Sequence, residues 1–272
     1  MPELPEVETT RRGLAPHLVG RTIVAVTVRD ARLRWPVAPD LADHLAGQRI
    51  QDVRRRAKYL ILALERDALI VHLGMSGALG LVAAGAAAGK HDHFELSLDD
   101  GFALRLTDPR RFGSIHRVRG DPERHTLLAG LGPEPLSADF EPQRLHRSTR
   151  GRRASIKETL MNARMVAGVG NIYANEALFH ARIHPRAAAG RISLARYAVL
   201  VPAVQTTLRA AIEAGGSSLR DWRHADGSPG YFQQRYFVYG REGQACRVCG
   251  ARIRSIRQGQ RATYYCPSCQ RR

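Results

Sequence analysis

All four cysteines of the chain lie within its last 27 residues, as two C-x2-C pairs separated by sixteen residues: Cys246 and Cys249, then Cys266 and Cys269. Each close pair can bind one tetrahedral metal ion from a single turn, and Gly250 permits a tight turn after the first pair. Two disulfides or a redox pair are the alternatives, but a chain expected to be cytoplasmic and without a βαβ pattern disfavours both. Four thiolates leave no open coordination position, so the spacing predicts one structural Zn²⁺.

A second candidate for chemistry is the amino terminus, where Pro2 directly follows Met1. Pro2 could simply be the first-turn proline of a helix. If Met1 is removed, however, Pro2 carries a free secondary amine, and a terminal amine with a pKa of about 8 is roughly one-tenth unprotonated at pH 7. Such an amine can attack an aldehyde-like carbon and form an iminium, which withdraws electrons strongly. Glu3 would be the adjacent acid/base, and the residues alone leave both interpretations open.

The charge balance indicates a polyanionic partner. Lys and Arg number 42 against 25 Asp and Glu, which gives a net charge of +17. This excess favours nucleic acid over a membrane surface, because no amphipathic basic helix stands out; an Arg-rich protein that is merely soluble is the alternative. Only Lys58, Lys90 and Lys157 are lysines, and the other 39 cations are arginines. Lysine in such a chain indicates positions where a compact, titratable ammonium is needed.

Length and composition set the limits of the architecture. The chain has 272 residues, of which 44% are hydrophobic and 25% charged. These values are typical of a globular protein of about two domains and exclude a disordered or collagen-like chain. No apolar run approaches about 18 residues, so no transmembrane helix and no membrane partner are expected. The acidic start lacks the layout of a secretion signal, which favours the cytoplasm.

The first 130 residues predict one helix followed by β-structure. Leu4, Val7 and Leu14 fall at helical spacing over the first 14 residues, and Gly13 indicates the end of that helix. Apolar and β-branched runs predict strands over 22–29, 59–64 and 68–71. Alternating segments on either side of Asp99-Asp100-Gly101 predict a hairpin over 94–106.

Helical signals follow a linker at Gly132-Pro133-Glu134-Pro135. Ser155 and Glu158 form a capping box, which predicts the start of a first helix. A tight turn at 168–171 predicts a second helix that ends near His184-Pro185. Apolar residues from 194 to 212 predict a long amphipathic helix, which Pro202 should kink or shift to a later start.

These patterns together predict an α+β fold in three domains. We expect a β-sandwich with an N-terminal helix over 1–130, a linker and helical domain over 131–239, and a zinc ribbon over 240–272. The ribbon's two strands should flank Gly259, and its segment 241–272 holds eight arginines against one acid. The ribbon is therefore expected to lie on a phosphate backbone, with zinc holding its shape.

Motifs spread over nearly the whole chain carry a family resemblance. The chain opens with PELPEVET (2–9), and the later motifs follow in this order: RRAKYL (55–60), HLGMSG (72–77), KHDH (90–93), TDPRRFG (107–113), LGPEPL (131–136), VGNIYA (169–174), GYF (230–232), VYGR (238–241) and QRAT (260–263). In this order they resemble the bacterial formamidopyrimidine-DNA glycosylase family, which repairs oxidised purines. No single motif is decisive, but the set is highly specific.

The resemblance implies a bifunctional DNA glycosylase/AP lyase of base excision repair that removes 8-oxoguanine and formamidopyrimidines from damaged double-stranded DNA. It assigns attack on C1′ of an extruded nucleotide to Pro2, acid/base work at the sugar to Glu3, and proton donation in β-elimination to Lys58. Arg261 matches the residue assigned to δ-elimination, and we expect it to clamp phosphates because a guanidinium is a poor acid. The iminium itself withdraws electrons, so no catalytic metal or organic cofactor is expected.

The resemblance also assigns DNA contacts. Four residues match DNA-contact positions: His91, Arg110, Arg153 and Asn171. Asn171 opens a helix of the implied helix–two-turn–helix unit, where backbone N–H groups suit phosphate. Met75, Arg110 and Phe112 match the trio that fills the space left by the extruded base, although Met75 and Phe112 on type alone would be core residues. The segment 225–232 matches the loop that covers the extruded base. The implied protein is a monomer, cytoplasmic and associated with the nucleoid.

Two other functions remain as alternatives. An endonuclease VIII-like glycosylase uses the same fold and terminal proline on oxidised pyrimidines, but its opening tends to carry Gly where this chain has Leu4. A non-catalytic zinc-ribbon DNA-binding protein would not need the Pro2-Glu3 pair together with Lys58 and Arg261.

Overall fold

The computed structural model describes residues 1–217 and 231–271. It divides into two compact units, Met1–Ala129 with Ala214–Tyr231, and Gly130–Glu213 with Phe232–Arg272. Most of the loop that the sequence assigns to covering the extruded base, 225–230, lies outside the described residues. The three domain boundaries given above stay a prediction.

The amino-terminal unit begins with α1 (Leu4–Leu18), a helix with one fully buried face. Val7, Leu14 and Leu18 are completely buried, at spacings that place them on the same side of a helix. The helix continues beyond the end predicted near Gly13, because Leu14 and Leu18 add a further turn to the hydrophobic core.

The described residues of this unit also contain eight strands and a short α-helix. Their bounds are β1 (Ile23–Val28), α2 (Leu41–Leu45), β2 (Ile50–Arg56), β3 (Tyr59–Leu64), β4 (Asp67–His72), β5 (Ala78–Ala83), β6 (Asp92–Leu98), β7 (Phe102–Thr107) and β8 (Ser114–Arg119). They form two antiparallel four-stranded sheets, in the orders β1-β6-β7-β5 and β2-β3-β4-β8. Leucines from both sheets and from α1 share one core, so the predicted sandwich is confirmed. The predicted hairpin is the β6–β7 pair, in which Leu96 lies opposite Leu104.

The described residues of the second unit contain four α-helices: α3 (Pro142–Thr149), α4 (Ile156–Met161), α5 (Asn171–His180) and α6 (Leu194–Glu213). Helix α4 starts at the predicted capping box, since Ser155 Oγ accepts the Glu158 N–H. Helix α5 ends at His180, earlier than predicted, where Arg182 adopts a positive φ of 55°. Helix α6 begins at Leu194 and includes Pro202, so the proline does not delay its start.

The cysteine ribbon belongs to the second unit. Its strands β9 (Arg254–Gln258) and β10 (Arg261–Tyr265) pair antiparallel around Gly259, as predicted. Cys246 and Cys266 share a small hydrophobic core with Phe179 of α5. Among the described residues, no helix has both the length and the apolarity needed to cross a bilayer.

Candidate functional site

The amino terminus lies just outside α1. Glu3 is the N-cap residue and the helix begins at Leu4, so Pro2 precedes the helix and the first-turn interpretation of Pro2 is wrong. Glu3 and Glu6 form a reciprocal capping box, in which Glu6 Oε2 accepts the Glu3 N–H at 2.8 Å. Glu6 Oε1 accepts the Ser217 N–H at 2.8 Å, and both glutamates are buried. Glu6 therefore binds both the residue that precedes α1 and a distant segment of the same unit.

Charges of both signs surround the α-amino group of Met1. Burial lowers its pKa, the carboxylates of Glu3 and Glu6 raise it, and the cations Lys58 and Arg110 lower it further. The net direction is downward, which increases the neutral fraction of the Met1 amine. The fold thus brings Lys58 and Arg110, which are far from the amino terminus in sequence, within electrostatic range of the chain start.

Lys58 is presented by the turn between β2 and β3. Arg56 and Tyr59 are the last paired residues of this hairpin, which leaves Ala57 and Lys58 as its two-residue turn. Ala57 has a φ of +53°, in the left-handed region that non-glycine residues rarely adopt. Tight turns of this kind fix the direction of the side chain that follows, and Lys58 is half-buried.

Glu8 connects α1 to the strand that leads to Lys58. Its carboxylate forms ion pairs with Arg11 at 2.8 Å, Arg12 at 2.9 Å and Arg55 of β2 at 3.2 Å. Burial raises the pKa of Glu8, but the hydrogen bonds from Arg11 and Arg12 outweigh burial and lower it overall. Arg55 also donates to the Ala57 carbonyl at 2.9 Å. This network couples the helix that follows Pro2 to the turn that carries Lys58.

Two large apolar side chains beside this site are exposed. Met75 is 40% exposed and Phe112 is 41% exposed, so neither is a core residue. The Arg110 guanidinium lies over the Phe112 ring, 5.0 Å from its centroid. The three residues therefore present two apolar surfaces and one cation to solvent. Their assignment to filling the space of an extruded base stays a prediction.

His91 and His72 of this unit also have defined contacts. His91 is half-buried, its ring centroid lies 6.4 Å from that of His93, and its carbonyl accepts the Asp108 N–H. His72 Nδ1 accepts the Gly74 N–H at 3.0 Å. Burial, followed by the charges of Lys58, Arg34 and His116, lowers the pKa of His72 to about 4, so its ring is neutral at pH 7.

The second unit carries the remaining predicted residues. Arg153 and Arg261 are exposed, and Arg261 begins β10. Asn171 is the first residue of α5, and its side-chain amide donates to the Ala262 carbonyl at 3.1 Å. The Lys157 ammonium donates to Thr263 Oγ1 at 2.6 Å. Both contacts hold the strand that presents Arg261, so the Asn171 amide is engaged with protein backbone as well as being placed at a helix start.

The cysteine sulfurs converge as a metal site requires. All four Sγ atoms lie within 4.8 Å of one another, with Cys246 to Cys269 at 3.9 Å and Cys249 to Cys266 at 3.4 Å. Tetrahedral Zn–S bonds of about 2.3 Å imply sulfur separations of about 3.8 Å, so the donor set fits zinc. The Val248 N–H donates to Cys246 Sγ and the Cys269 N–H to Cys266 Sγ, each at 3.4 Å. The four cysteines form a structural zinc site.

The sequence interpretation missed three residues that organise the site. Glu6 has the capping-box spacing from Glu3, which could have identified it. Glu8 lies three and four residues before Arg11 and Arg12, a spacing that predicts helical ion pairs but not the bond to Arg55. His72 has no separate signal beyond its place in the motif HLGMSG.

Profiles of protein families match almost the entire chain. The formamidopyrimidine-DNA glycosylase N-terminal domain matches residues 1–115. The formamidopyrimidine-DNA glycosylase H2TH domain matches residues 131–222, and the zinc finger found in FPG and IleRS matches residues 243–272.

Individual proteins are similar over the full length. The formamidopyrimidine-DNA glycosylase of Methylococcus capsulatus is 57% identical over 271 residues, which covers 100% of both chains. The crystal structure of the MutM (Fpg) protein from Thermus thermophilus has a TM-score of 0.88 at 42% identity, covering 99% of this chain and 98% of that one. A mutant Lactococcus lactis Fpg bound to Fapy-dG-containing DNA has a TM-score of 0.93 at 35% identity, covering 100% of both chains. The resemblance is confirmed: the chain belongs to the formamidopyrimidine-DNA glycosylase family.

Proposed function

We propose that this protein is a bifunctional DNA glycosylase and AP lyase that excises oxidised purines, 8-oxoguanine and formamidopyrimidines, from double-stranded DNA in base excision repair. One observation carries the proposal. The chain start, where removal of Met1 leaves the secondary amine of Pro2, lies beside the buried Glu3 and within electrostatic range of the Lys58 and Arg110 cations. A nucleophilic amine, an acid/base and cations for phosphate are the groups that this chemistry requires.

Chemistry begins after removal of Met1, when the secondary amine of Pro2 attacks C1′ of the extruded nucleotide. The bond between C1′ and the base breaks, and its electron pair leaves with the base, which takes up a proton to balance the one that the Pro2 nitrogen releases. Glu3 protonates the ring oxygen as the sugar opens, and an iminium joins Pro2 to C1′. The iminium acidifies the C2′ proton, because the electrons left on C2′ can flow towards the positive nitrogen.

Strand cleavage follows from the same iminium. Loss of the C2′ proton expels the 3′ phosphate in β-elimination, and Lys58 donates a proton and holds a neighbouring phosphate. A second, δ-elimination releases the 5′ phosphate and leaves a one-nucleotide gap. Arg261 clamps phosphates during this step, because its guanidinium stays protonated and carries a fork of N–H donors. Zinc takes no part in these steps, since its four thiolates shape the ribbon.

Recognition requires that the damaged nucleotide leave the base stack. Met75 and Phe112 wedge against the neighbouring bases, and Arg110 hydrogen-bonds the orphaned cytosine. His91, Arg153 and Asn171 contact the DNA backbone, supported by the net charge of +17. We further propose that the protein acts as a monomer in the cytoplasm, on the nucleoid.

Borohydride trapping tests the proposal, because borohydride reduces an iminium to a stable covalent bond. A mass spectrum of the purified protein first establishes that Met1 is absent. We expect a covalent adduct with a duplex that contains 8-oxoguanine opposite cytosine. An adduct that forms only with an oxidised pyrimidine would assign the chain to the endonuclease VIII-like activity instead, and no adduct with either duplex would indicate a non-catalytic DNA-binding protein.

A further inference from the structure

Two loops of the amino-terminal unit carry the exposed trio. The Met75 loop is residues 73–77, between β4 and β5, and the Arg110 loop is residues 108–113, between β7 and β8. Their backbones touch, since a Cβ built on Gly74 would collide with the backbone of Phe112 and Gly113. Gly74 also has a φ of +63°. Only glycine allows this approach without strain.

A single buried carboxylate joins the two loops. Asp108 is completely buried. Its Oδ1 accepts the hydroxyl of Ser76 at 2.8 Å and the N–H of Arg110 at 3.3 Å. Its Oδ2 accepts the N–H of Gly113 at 2.7 Å. One side chain therefore binds the residue beside Met75 and both ends of the turn that carries Arg110 and Phe112.

The Arg110 loop is also fixed from outside. His93 Nε2 donates to the Asp108 carbonyl at 2.9 Å, which anchors the loop to β6. Arg111 adopts a φ of +55° and forms an ion pair with Asp30 at 3.0 Å. The Arg34 N–H donates to the Gly113 carbonyl at 3.0 Å. A non-glycine residue such as Arg111 keeps a left-handed backbone only where the surrounding contacts enforce it. These contacts therefore restrict the conformation of the Arg110 loop.

A carboxylate is well suited to joining the two loops at the position of Asp108. Its three contacts are all hydrogen-bond donors, and a carboxylate accepts from all three because both of its oxygens carry lone pairs. An amide at the same position would turn an NH₂ group towards at least one donor. Asn has the same shape as Asp108, but it cannot accept hydrogen bonds from all three donors.

We propose that Asp108 is a positioning residue that locks the Met75 loop and the Arg110 loop into one element. This inference rests on the proposed function and deepens it. Met75 and Phe112 then enter the duplex together, and Arg110 reaches the orphaned base in a fixed direction. Rigid presentation matters because small misplacements of positioning groups have large kinetic costs.

Loss of the Asp108 contacts should affect two DNA substrates differently. An 8-oxoguanine paired with cytosine in a duplex must be extruded, and its partner must be bound. An abasic site in single-stranded DNA has no base to extrude and no orphaned partner. Loss of the lock should therefore impair excision from the duplex and spare iminium formation at the single-stranded abasic site.

Two variants break the lock. Asp108→Asn leaves one of the three donors unmatched. Ser76→Ala removes the bond from Ser76 to Asp108 and the 3.3 Å contact in which Ser76 Oγ accepts the Arg110 N–H, but keeps the Asp108 carboxylate. Asp67→Asn is the matched control, since Asp67 is a buried carboxylate that accepts from Gln48 at 2.7 Å and pairs with Arg117 at 3.1 Å, at the opposite end of β4 from the Met75 loop. The full-length proteins are compared in single-turnover excision from the duplex and in borohydride trapping on the single strand.

We expect Asp108→Asn to slow duplex excision by at least about tenfold and to reduce the preference for cytosine over adenine opposite the lesion. Ser76→Ala should show the same pattern at smaller size, while trapping on the single strand stays within about twofold of wild type for both variants. Asp67→Asn should leave the ratio of the two activities unchanged. Equal losses on both substrates, or no loss on either, would overturn the role of Asp108. A wild-type protein that is inactive on both substrates would instead contradict the proposed function itself.

Discussion

The zinc ribbon and the amino-terminal site are built in opposite ways. The ribbon's ligands come from two short turns within 27 residues, and the strands between them pair with each other. The amino-terminal site draws Glu3 from the N-cap of α1, Lys58 from the β2–β3 turn and Arg110 from the β7–β8 loop. One region is organised by local spacing and the other by tertiary contacts.

This difference separates two tasks. A closed thiolate site can support a basic surface but cannot react with a substrate, because it leaves no open coordination position. The chemistry proposed for the amino-terminal site uses the terminal amine as nucleophile and the buried Glu3 as the acid beside it, and these need accurate mutual placement. Chemistry and binding should therefore be separable by mutation, and the following predictions test that separation.

The largest effect is expected for Glu3→Gln. Without an acid/base at this position, base excision should fall by about 10²- to 10⁴-fold, the usual contribution of such a group. Affinity for lesion-containing DNA should persist, since Gln retains the shape of the N-cap. Single-turnover cleavage and gel-shift binding measure the two quantities. Glu65→Gln, in the exposed turn between β3 and β4, is the control, and wild-type turnover in Glu3→Gln would contradict the assignment.

The reverse pattern is expected for the ribbon. Cys249→Ser, or removal of zinc by a chelator, should weaken DNA binding by about tenfold or more, because the ribbon's arginines lose their common surface. Iminium trapping at saturating DNA should fall much less. Ser268→Ala, an exposed residue between the last two cysteines, should change neither quantity. Unaltered affinity after confirmed zinc loss would show that the ribbon is dispensable for binding.

Sequence reasoning succeeds where the determining interactions are local. The cysteine spacing, the Ser155 capping box and the β6–β7 hairpin are each specified within a few residues, and each is confirmed. The sequence predicts an end of α1 near Gly13, which is too early. The local stop signal at Gly13 competes with the burial of Leu14 and Leu18, and that burial depends on the rest of the core.

The contacts that organise the amino-terminal site could not be predicted from the sequence. Glu8 meets Arg55 across 47 positions, Asp108 meets Ser76 across 32, and Glu6 meets Ser217 across 211. Carboxylates and their donors recur throughout the chain, so composition does not specify which of them pair. Sheet register and loop conformation decide the pairing, and neither follows from residue types alone.

A moderate effect on stability is expected for Glu8→Gln. The variant loses charge-assisted bonds to Arg11, Arg12 and Arg55, which should reduce the free energy of unfolding by about 1–2 kcal/mol at pH 7. The lowered pKa of Glu8 means that this stabilisation is present above the pKa of the unfolded chain and is lost as pH falls through that of the folded protein. Urea unfolding should therefore show a difference between variant and wild type that shrinks below about pH 4.

The control for Glu8 is an ion pair on the surface of the same unit. Asp100 pairs with the exposed Arg21 at 3.0 Å, so Asp100→Asn should change stability by less than about 1 kcal/mol. A Glu8→Gln variant as stable as Asp100→Asn at pH 7 would show that the Glu8 network does not hold α1 against β2.

The smallest effect is expected for Arg153→Ala in the second unit. Arg153 is exposed and belongs to a basic run with Arg150 and Arg152, so it should contribute one phosphate contact and no sequence information. Its loss should weaken binding to damaged and undamaged duplexes alike and reduce the slope of log affinity against log salt by about 1. Arg209→Ala, exposed on α6 outside that run, should leave the slope unchanged. An Arg153→Ala effect restricted to lesion-containing DNA would place this residue with the recognition loops of the other unit, and the division of tasks between the two regions would fail.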